Sequence, residues 1–123
     1  MILDTHMLLW WLGDLPPLTP AARARIASPT SSVAVSAVSL FEIETKRRLR
    51  KLDAPDDVLG ACEAEQFTLL PLSPSAGRTA GALPWAHRDP FDRLLVAQAR
   101  EFGIPLLTAD QRILDFEPLA TAN

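Results

Sequence analysis

The fold is decided by one stretch of the chain, Trp85-Ala86-His87-Arg88-Asp89-Pro90-Phe91-Asp92-Arg93-Leu94-Leu95-Val96-Ala97-Gln98-Ala99. It predicts a helix capped by Asp89, with Pro90 at the first position, where a missing N–H costs nothing. Asp92 then falls in the first turn, near the positive end of the helix dipole. Gly103 predicts the end of the helix. Apolar residues at helical spacing predict one buried side: Phe91, Leu94, Leu95, Ala99 and Phe102.

Short apolar runs alternate with helical segments on both sides of this helix. Strands are predicted at residues 1–3, 33–35, 67–72 and 104–107, with a weak last strand near Leu119. Helices are predicted over residues 6–12, 20–27, 39–51, 55–66, 73–83 and 111–115. This alternation predicts an α/β fold with a parallel sheet covered on both faces, in one domain spanning residues 1–123.

Composition narrows the class of protein. The 123 residues are 48% apolar and carry a net charge of −3, which excludes a disordered chain and gives no electrostatic reason for tight non-specific binding to nucleic acid. Cys62 is the single cysteine, so neither a disulfide framework nor a cysteine zinc site is expected. Asp4 interrupts the apolar N-terminus and no basic segment precedes it, which argues against a signal peptide or a membrane span. We therefore expect a cytoplasmic protein without membrane contact.

Acidic residues recur where the predicted strands end and helices begin. Asp4 and Asp110 follow the first and the fourth strand, and Glu42 follows the second, in a predicted capping box with Ser39 as the N-cap. Since ligands of such sheets bind beyond the carboxyl ends of the strands, these carboxylates and Asp92 can converge. Clustered carboxylates repel one another unless a cation neutralises them. Hard oxygen ligands without paired Cys or His favour Mg²⁺ or Mn²⁺ over zinc.

Each acid also has a purely structural interpretation. Asp89 and Asp110 suit helix caps, and Asp4 suits the end of a strand. Glu42 suits a capping box or an ion pair with Lys46 one turn later. These roles do not exclude metal binding, because a carboxylate at a helix N-terminus can also ligate an ion.

Four segments together resemble the motifs of PIN-domain proteins, and more narrowly the toxins of the VapBC class of bacterial toxin–antitoxin systems. They are Ile2-Leu3-Asp4-Thr5, Ser39-Leu40-Phe41-Glu42-Ile43, the run from Asp89 to Ala99, and Leu107-Thr108-Ala109-Asp110. The resemblance covers essentially the whole chain in order. It implies a three-layer α/β/α sandwich with a mainly parallel sheet, and metal-dependent cleavage of RNA.

The resemblance assigns an acidic quartet of Asp4, Glu42, Asp92 and Asp110. Bound Mg²⁺ or Mn²⁺ would activate water for hydrolysis of a phosphodiester. Asp4 and Asp92 are the expected direct ligands, whereas Glu42 and Asp110 ligate directly or through water, or orient the attacking water. Residues expected around them, or against the substrate, are Thr5, His87, Asp89, Arg93 and Thr108.

Partners follow from the same resemblance. It implies an RNA substrate, a cognate antitoxin protein and a homodimer. Lys46, Arg47 and Arg50 form either a solvated helix face or a patch that contacts RNA phosphates. Trp10, Trp11 and Leu12 belong either to the core or to a groove for a second copy or an antitoxin helix.

Three other interpretations fit the sequence less well. A receiver domain would need adjacent acids after the first strand and a late lysine, but Thr5 follows Asp4 and no lysine follows Lys51. A haloacid-dehalogenase-like phosphatase would need Asp-x-Asp, and His6 stands at the second Asp position. The remaining alternative is a catalytically silent PIN-like module that binds RNA or a partner, which the intact quartet disfavours.

Overall fold

The computed structural model describes residues 1–123 and contains a single five-stranded sheet with seven helices. The strands are β1 (Ile2–Leu3), β2 (Ala34–Ser36), β3 (Thr68–Leu70), β4 (Leu106–Thr108) and β5 (Ala120–Ala122). The helices are α1 (Thr5–Leu12), α2 (Pro20–Ala27), α3 (Ala37–Arg48), α4 (Val58–Ala64), α5 (Pro74–Ala82), α6 (Pro90–Phe102) and α7 (Gln111–Phe116). All strands are parallel, in the order β3-β2-β1-β4-β5, which confirms the predicted α/β fold.

The three central strands separate two apolar cores. Leu3, Val35 and Leu107 pack with side chains of α1, α2 and α4, whereas the residue before each of them packs with α6 and α7. Because successive side chains of a strand point to opposite faces, the apolar residues of the central strands alternate between the two cores, and both faces of the sheet are covered. Within these strands, buried hydroxyl groups occur only at the carboxyl ends of β2 and β4, at Ser36 and Thr108. No helix of the structure is both long and apolar enough to cross a membrane.

Helix α6 begins and ends where the sequence predicts. The Asp89 carboxylate accepts hydrogen bonds from the backbone N–H groups of Phe91 (2.9 Å) and Asp92 (3.3 Å). Gly103 ends the helix in the left-handed conformation, with φ of 63°. The prediction that Phe102 belongs to the core is wrong, since this last helical residue is 46% exposed. Burial is concentrated in Leu95–Ala99, which both the sheet and α5 contact.

The start of α3 differs from the predicted capping box. Ser36, at the end of β2, is the N-cap, and its hydroxyl accepts from the backbone N–H of Val38 (3.0 Å). Ser39 therefore lies inside the helix, and Glu42 lies in its second turn instead of its first. The cause is that Ser36 follows the strand directly, so the helix starts one turn earlier than the S-x-x-E pattern indicates.

The segment between α3 and α4 is less helical than predicted. Helix α3 ends at Arg48, because Arg50 adopts a left-handed backbone with φ of 57°. Helix α4 begins only at Val58, since the Asp57 side chain caps it by accepting from the N–H of Gly60 (2.9 Å). The intervening residues form a loop that packs Leu52 against the core.

Candidate active site

A pocket of about 510 Å³ lies where β1 and β4 end and where α3 and α6 pass beside them. Its lining contains five carboxylates but only two permanent cations, so it is strongly acidic. The lining residues are Asp4, His6, Trp10, Glu42, Lys46, Asp89, Asp92, Ala109, Asp110, Gln111 and Arg112. The structure thus brings the predicted quartet together from four separate parts of the chain.

Asp4 is held rigidly at the end of β1. It is 6% exposed, and its two carboxylate oxygens accept from the N–H of Thr5 (2.7 Å) and the hydroxyl of Thr108 (2.6 Å). Burial raises the pKa of Asp4, and the charge of Glu42 adds to this, although both hydrogen bonds oppose it. The two predicted threonines therefore lie beside the quartet, and Thr108 joins the neighbouring strand β4 to Asp4.

Glu42 reaches the pocket from α3 and is only 4% exposed. One oxygen accepts from the Thr5 hydroxyl (2.7 Å), which also lies 3.0 Å from Ser39 Oγ. The other accepts from Lys46 Nζ at 2.5 Å. Partial burial acts to lower the pKa of Lys46, but the hydrogen bond and charge of Glu42 outweigh it and raise that pKa. Glu42 and Lys46 thus form an ion pair in the wall of the pocket.

Asp92 lies in the first turn of α6 and is 8% exposed. His87 Nε2 lies 2.6 Å from Asp92 Oδ2, so the two side chains share a hydrogen bond. Burial raises the pKa of Asp92 to about 6, assisted by the charges of Asp4 and Asp89 and opposed by the hydrogen bond with His87. Asp92 therefore loses its proton reluctantly unless a cation enters the pocket.

Asp110 and Asp89 both cap helices at the rim of the pocket. Asp110 accepts from the backbone N–H of Arg112 (2.9 Å) and from its guanidinium (2.9 and 3.2 Å). The guanidinium hydrogen bond lowers the pKa of Asp110. Asp89 caps α6 as predicted and also lines the pocket, so it stands next to the quartet.

The donor set of the pocket fits a hard divalent cation. Ligand atoms of His87, Asp92 and Asp110 lie within 4.8 Å of one another. Asp4 lines the same pocket, and its charge raises the pKa of Asp92. Carboxylate oxygens are the ligands that Mg²⁺ and Mn²⁺ prefer.

Arg93 lies outside the pocket lining. Its guanidinium donates to the carbonyls of Leu83 (2.8 Å), Trp85 (2.8 Å) and His87 (2.9 Å), and its Nε donates to the carbonyl of Ala80 (2.9 Å). Arg93 thereby fixes the loop that carries His87. Arg93 therefore supports the site from outside the pocket. The structure gives no support to the other predicted role of Arg93, a contact with the substrate.

The predicted basic patch is divided by the structure. Lys46 lines the acidic pocket. Arg47 instead donates to the backbone carbonyls of Ala54 (3.0 Å) and Pro55 (2.5 Å), so it anchors the loop after α3. Arg50 lies exposed in that loop, outside the pocket.

Sequence reasoning missed four residues of the pocket. His6, Trp10, Gln111 and Arg112 line it, each a few residues from a quartet acid. Trp10, Trp11 and Leu12 are partly buried and pack against the core, which is one of their two predicted places, and the Trp10 ring also lies 6.0 Å from that of His6 in the pocket wall. The available signal was helical spacing, because His6, Gln111 and Arg112 lie on the first turns of α1 and α7, next to Asp4 and Asp110, and Trp10 follows His6 by one turn.

The sequence model of the PIN domain matches residues 1–117, so this chain belongs to the PIN-domain family. The predicted resemblance is thereby confirmed. Among curated proteins, Ribonuclease VapC22 of Mycobacterium tuberculosis is 34% identical over 116 residues, which cover 92% of this chain and 88% of that protein.

Two solved structures share the fold. The crystal structure of VapBC2 from Rickettsia felis bound to a DNA fragment from their promoter matches with a TM-score of 0.66 and 13% identity, covering 99% of this chain and 96% of that one. A toxin–antitoxin complex from Klebsiella pneumoniae matches with a TM-score of 0.69 and 18% identity, covering 98% and 94%. At these identities the likeness supports the PIN-like sandwich.

Proposed function

We propose that this chain is the ribonuclease toxin of a toxin–antitoxin pair and hydrolyses RNA phosphodiester bonds with the help of Mg²⁺ or Mn²⁺. The observation that carries the proposal is the convergence of Asp4, Glu42, Asp92 and Asp110 on one pocket of a chain related to a ribonuclease. The family match over residues 1–117 supports a single PIN-like domain.

Asp4 and Asp92 are the proposed direct ligands of the ion. Both are buried carboxylates whose pKa is raised, so a divalent cation would relieve the electrostatic cost of ionising them. Asp110 is proposed to ligate directly or through water. When bound, the ion lowers the pKa of a coordinated water and stabilises negative charge on phosphate oxygens.

The remaining side chains position this machinery. Thr5 and Thr108 hold Glu42 and Asp4 through their hydroxyl groups. His87 orients the Asp92 carboxylate. A water molecule attacks phosphorus and gives its proton to a nearby carboxylate or to solvent, while one P–O ester bond breaks and the departing sugar oxygen takes up a proton from solvent. No covalent enzyme intermediate is required.

The test is cleavage of a mixed RNA pool by the purified protein with Mg²⁺, Mn²⁺ or EDTA. We expect cleavage that requires metal and is lost in Asp4→Asn and Asp92→Asn. Asp56→Asn is the matched control, because Asp56 is exposed and lies outside the acidic pocket. A folded, metal-bound protein that cuts no RNA, or activity that survives both substitutions, would contradict the proposal.

We further propose a cognate antitoxin, a homodimeric state and action in the cytoplasm, where RNA is available. The two structural neighbours named above include a toxin–antitoxin complex, which supports an antitoxin partner. Trp10 and Trp11 of α1 are half-buried and keep part of their apolar surface accessible to a partner, and Trp10 also lines the acidic pocket. Expression with and without the neighbouring small gene product tests the pairing, since unimpaired growth in both cases would count against it. Light scattering of the purified protein measures its oligomeric state.

A further inference from the structure

The Lys46 ammonium stands inside the acidic pocket, where the proposed reaction would bring a phosphate. Lys46 follows Glu42 by one helical turn on α3, and its side chain is 31% exposed. It lines the pocket together with Asp4 and Asp92. The side chain therefore does not belong to a solvated helix face.

The ammonium has unused donors. A lysine carries three N–H donors and no acceptor. Lys46 makes one hydrogen bond within the protein, to Glu42 Oε2 at 2.5 Å. Two donors are thus left for a ligand with oxygen acceptors, such as a phosphodiester.

The position of the ammonium is restrained from two sides. Glu42 holds it and is itself held by the Thr5 hydroxyl at 2.7 Å. The Phe91 ring lies beneath it, with 6.0 Å between Nζ and the ring centroid. A cation placed over an aromatic face is attracted by the ring, so Lys46 loses part of its side-chain freedom before any ligand binds.

The second cation of the pocket is already engaged. The Arg112 side chain is 65% exposed, and its guanidinium donates to both oxygens of Asp110. An RNA phosphate entering among five carboxylates meets repulsion that a metal ion and the free donors of Lys46 together can offset. Lys46 is thus the pocket cation best placed for phosphate.

We infer that Lys46 is a catalytic residue that donates hydrogen bonds to a non-bridging oxygen of the scissile phosphate. The inference rests on the proposed function and names the group that binds the substrate at the same site. Negative charge on that oxygen increases as water attacks, so a fixed ammonium stabilises the transition state more than the ground state. Glu42 then acts mainly as the holder of Lys46.

The first test compares Lys46→Met and Lys46→Arg with Lys51→Met, which alters an exposed lysine outside the pocket. We expect Lys46→Met to slow single-turnover RNA cleavage by about 100-fold, the scale for loss of one transition-state donor. Lys46→Arg should recover part of the rate, and Lys51→Met should cut like the wild type. Affinity for Mn²⁺ alone, measured by calorimetry, should be equal or tighter in Lys46→Met, because a positive charge leaves the pocket.

The second test separates this inference from the nuclease proposal. Binding of a single-stranded RNA is measured over a range of salt concentrations with Asp92→Asn, alone and combined with Lys46→Met. Loss of one phosphate contact should reduce the slope of log K against log salt by about 0.7. This readout remains valid even if the wild-type protein cuts no RNA, an outcome that overturns the nuclease proposal only.

Three results would overturn the role of Lys46. The first is cleavage by Lys46→Met at the wild-type rate. The second is loss of cleavage accompanied by loss of Mn²⁺ binding or of the folded state. The third is a slope of log K against log salt that Lys46→Met leaves unchanged. Absence of measurable RNA binding by Asp92→Asn would count against it equally. An ion pair that only stabilised α3 would predict a lower melting temperature with an unchanged rate per folded molecule.

Discussion

Asp92 and Asp110 face the same pocket, and both lie at the start of a helix, yet their carboxyl groups are shifted in opposite directions. Burial raises the pKa of Asp92 to about 6. A guanidinium hydrogen bond from Arg112 lowers the pKa of Asp110. The helix N-terminus is common to both residues, so it cannot explain the difference. The two pKa values differ because Asp92 is buried, whereas Asp110 is bound to the Arg112 guanidinium.

This difference in pKa predicts different roles for the two carboxylates. Asp92 lies deep, with His87 as its partner, and is costly to ionise without a cation. Asp110 lies at the rim and is ionised with its charge already balanced by Arg112. We therefore expect the proposed divalent ion to be stabilised more by contact with Asp92 than by contact with Asp110. The predictions below test this division.

The largest expected effect is on catalysis. Asp92→Asn should lower the single-turnover cleavage rate by about 1,000-fold, which corresponds to about 4 kcal/mol. Asp110→Asn should lower the cleavage rate by only about 10-fold to 100-fold, because the Arg112 guanidinium already donates to both oxygens of the Asp110 carboxylate. The rates are measured at saturating Mn²⁺ in the same RNA pool. Equal losses in the two variants would refute the proposed division.

The next effect concerns the stability of the metal-free protein. Folding raises the pKa of Asp92 from its ordinary value of 3.8 to about 6, so the protonated carboxyl favours the folded state. This contribution to the free energy of unfolding is fully present below about pH 4 and is lost as the pH rises through about 6. The amide of Asp92→Asn does not titrate, so the variant keeps its stability as the pH rises. In EDTA at pH 8, we expect the variant to be more stable than the wild type by about 1–2 kcal/mol, after allowance for solvent screening.

Urea unfolding at pH 4.5 and pH 8 measures this difference. The advantage of Asp92→Asn should be small at pH 4.5, and saturating Mn²⁺ at pH 8 should reverse the order, because the ion stabilises the wild type selectively. Asp56→Asn controls for the substitution itself. A pH-independent difference would show that Asp92 affects stability through something other than its charge.

The smallest effect is confined to the rim. Arg112→Ala should raise the pKa of Asp110 towards its ordinary value, because its guanidinium hydrogen bond is lost. The pKa of Asp92 should stay near 6, since burial dominates it. Carboxyl NMR titration of the metal-free protein reads both groups at once. A large shift of Asp92 would mean that the two acids are coupled more tightly than their surroundings indicate.

The sequence was sufficient where a local rule controls the structure. Asp89 as N-cap with Pro90 behind it, and Gly103 as the stop, are decided by contacts within a few residues. The acids at strand ends also follow, because parallel strands bring their carboxyl ends to one edge. The parallel sheet and the meeting of the quartet could therefore be anticipated.

Local rules failed where a distant contact or a competing cap decided the outcome. Ser39 fits a capping box, but Ser36 caps α3 and Ser39 lies beside Thr5 from another helix. The sequence left open whether Arg93 lies around the quartet or against the substrate, and only the fold shows five backbone carbonyls around its guanidinium. The roles of these side chains depend on partners far away in sequence, which no pattern within one segment encodes.

The hydrogen bond from Thr108 to Asp4 joins residues 104 positions apart. Thr108 is the last residue of β4 and Asp4 directly follows β1, so the bond forms only when these two strands have paired. Although β1 is synthesised much earlier, Asp4 and Asp110 can share a pocket only after synthesis has passed β4. A nascent chain that has not reached β4 lacks both Asp110 and the hydrogen bond from Thr108, so its acidic pocket is incomplete.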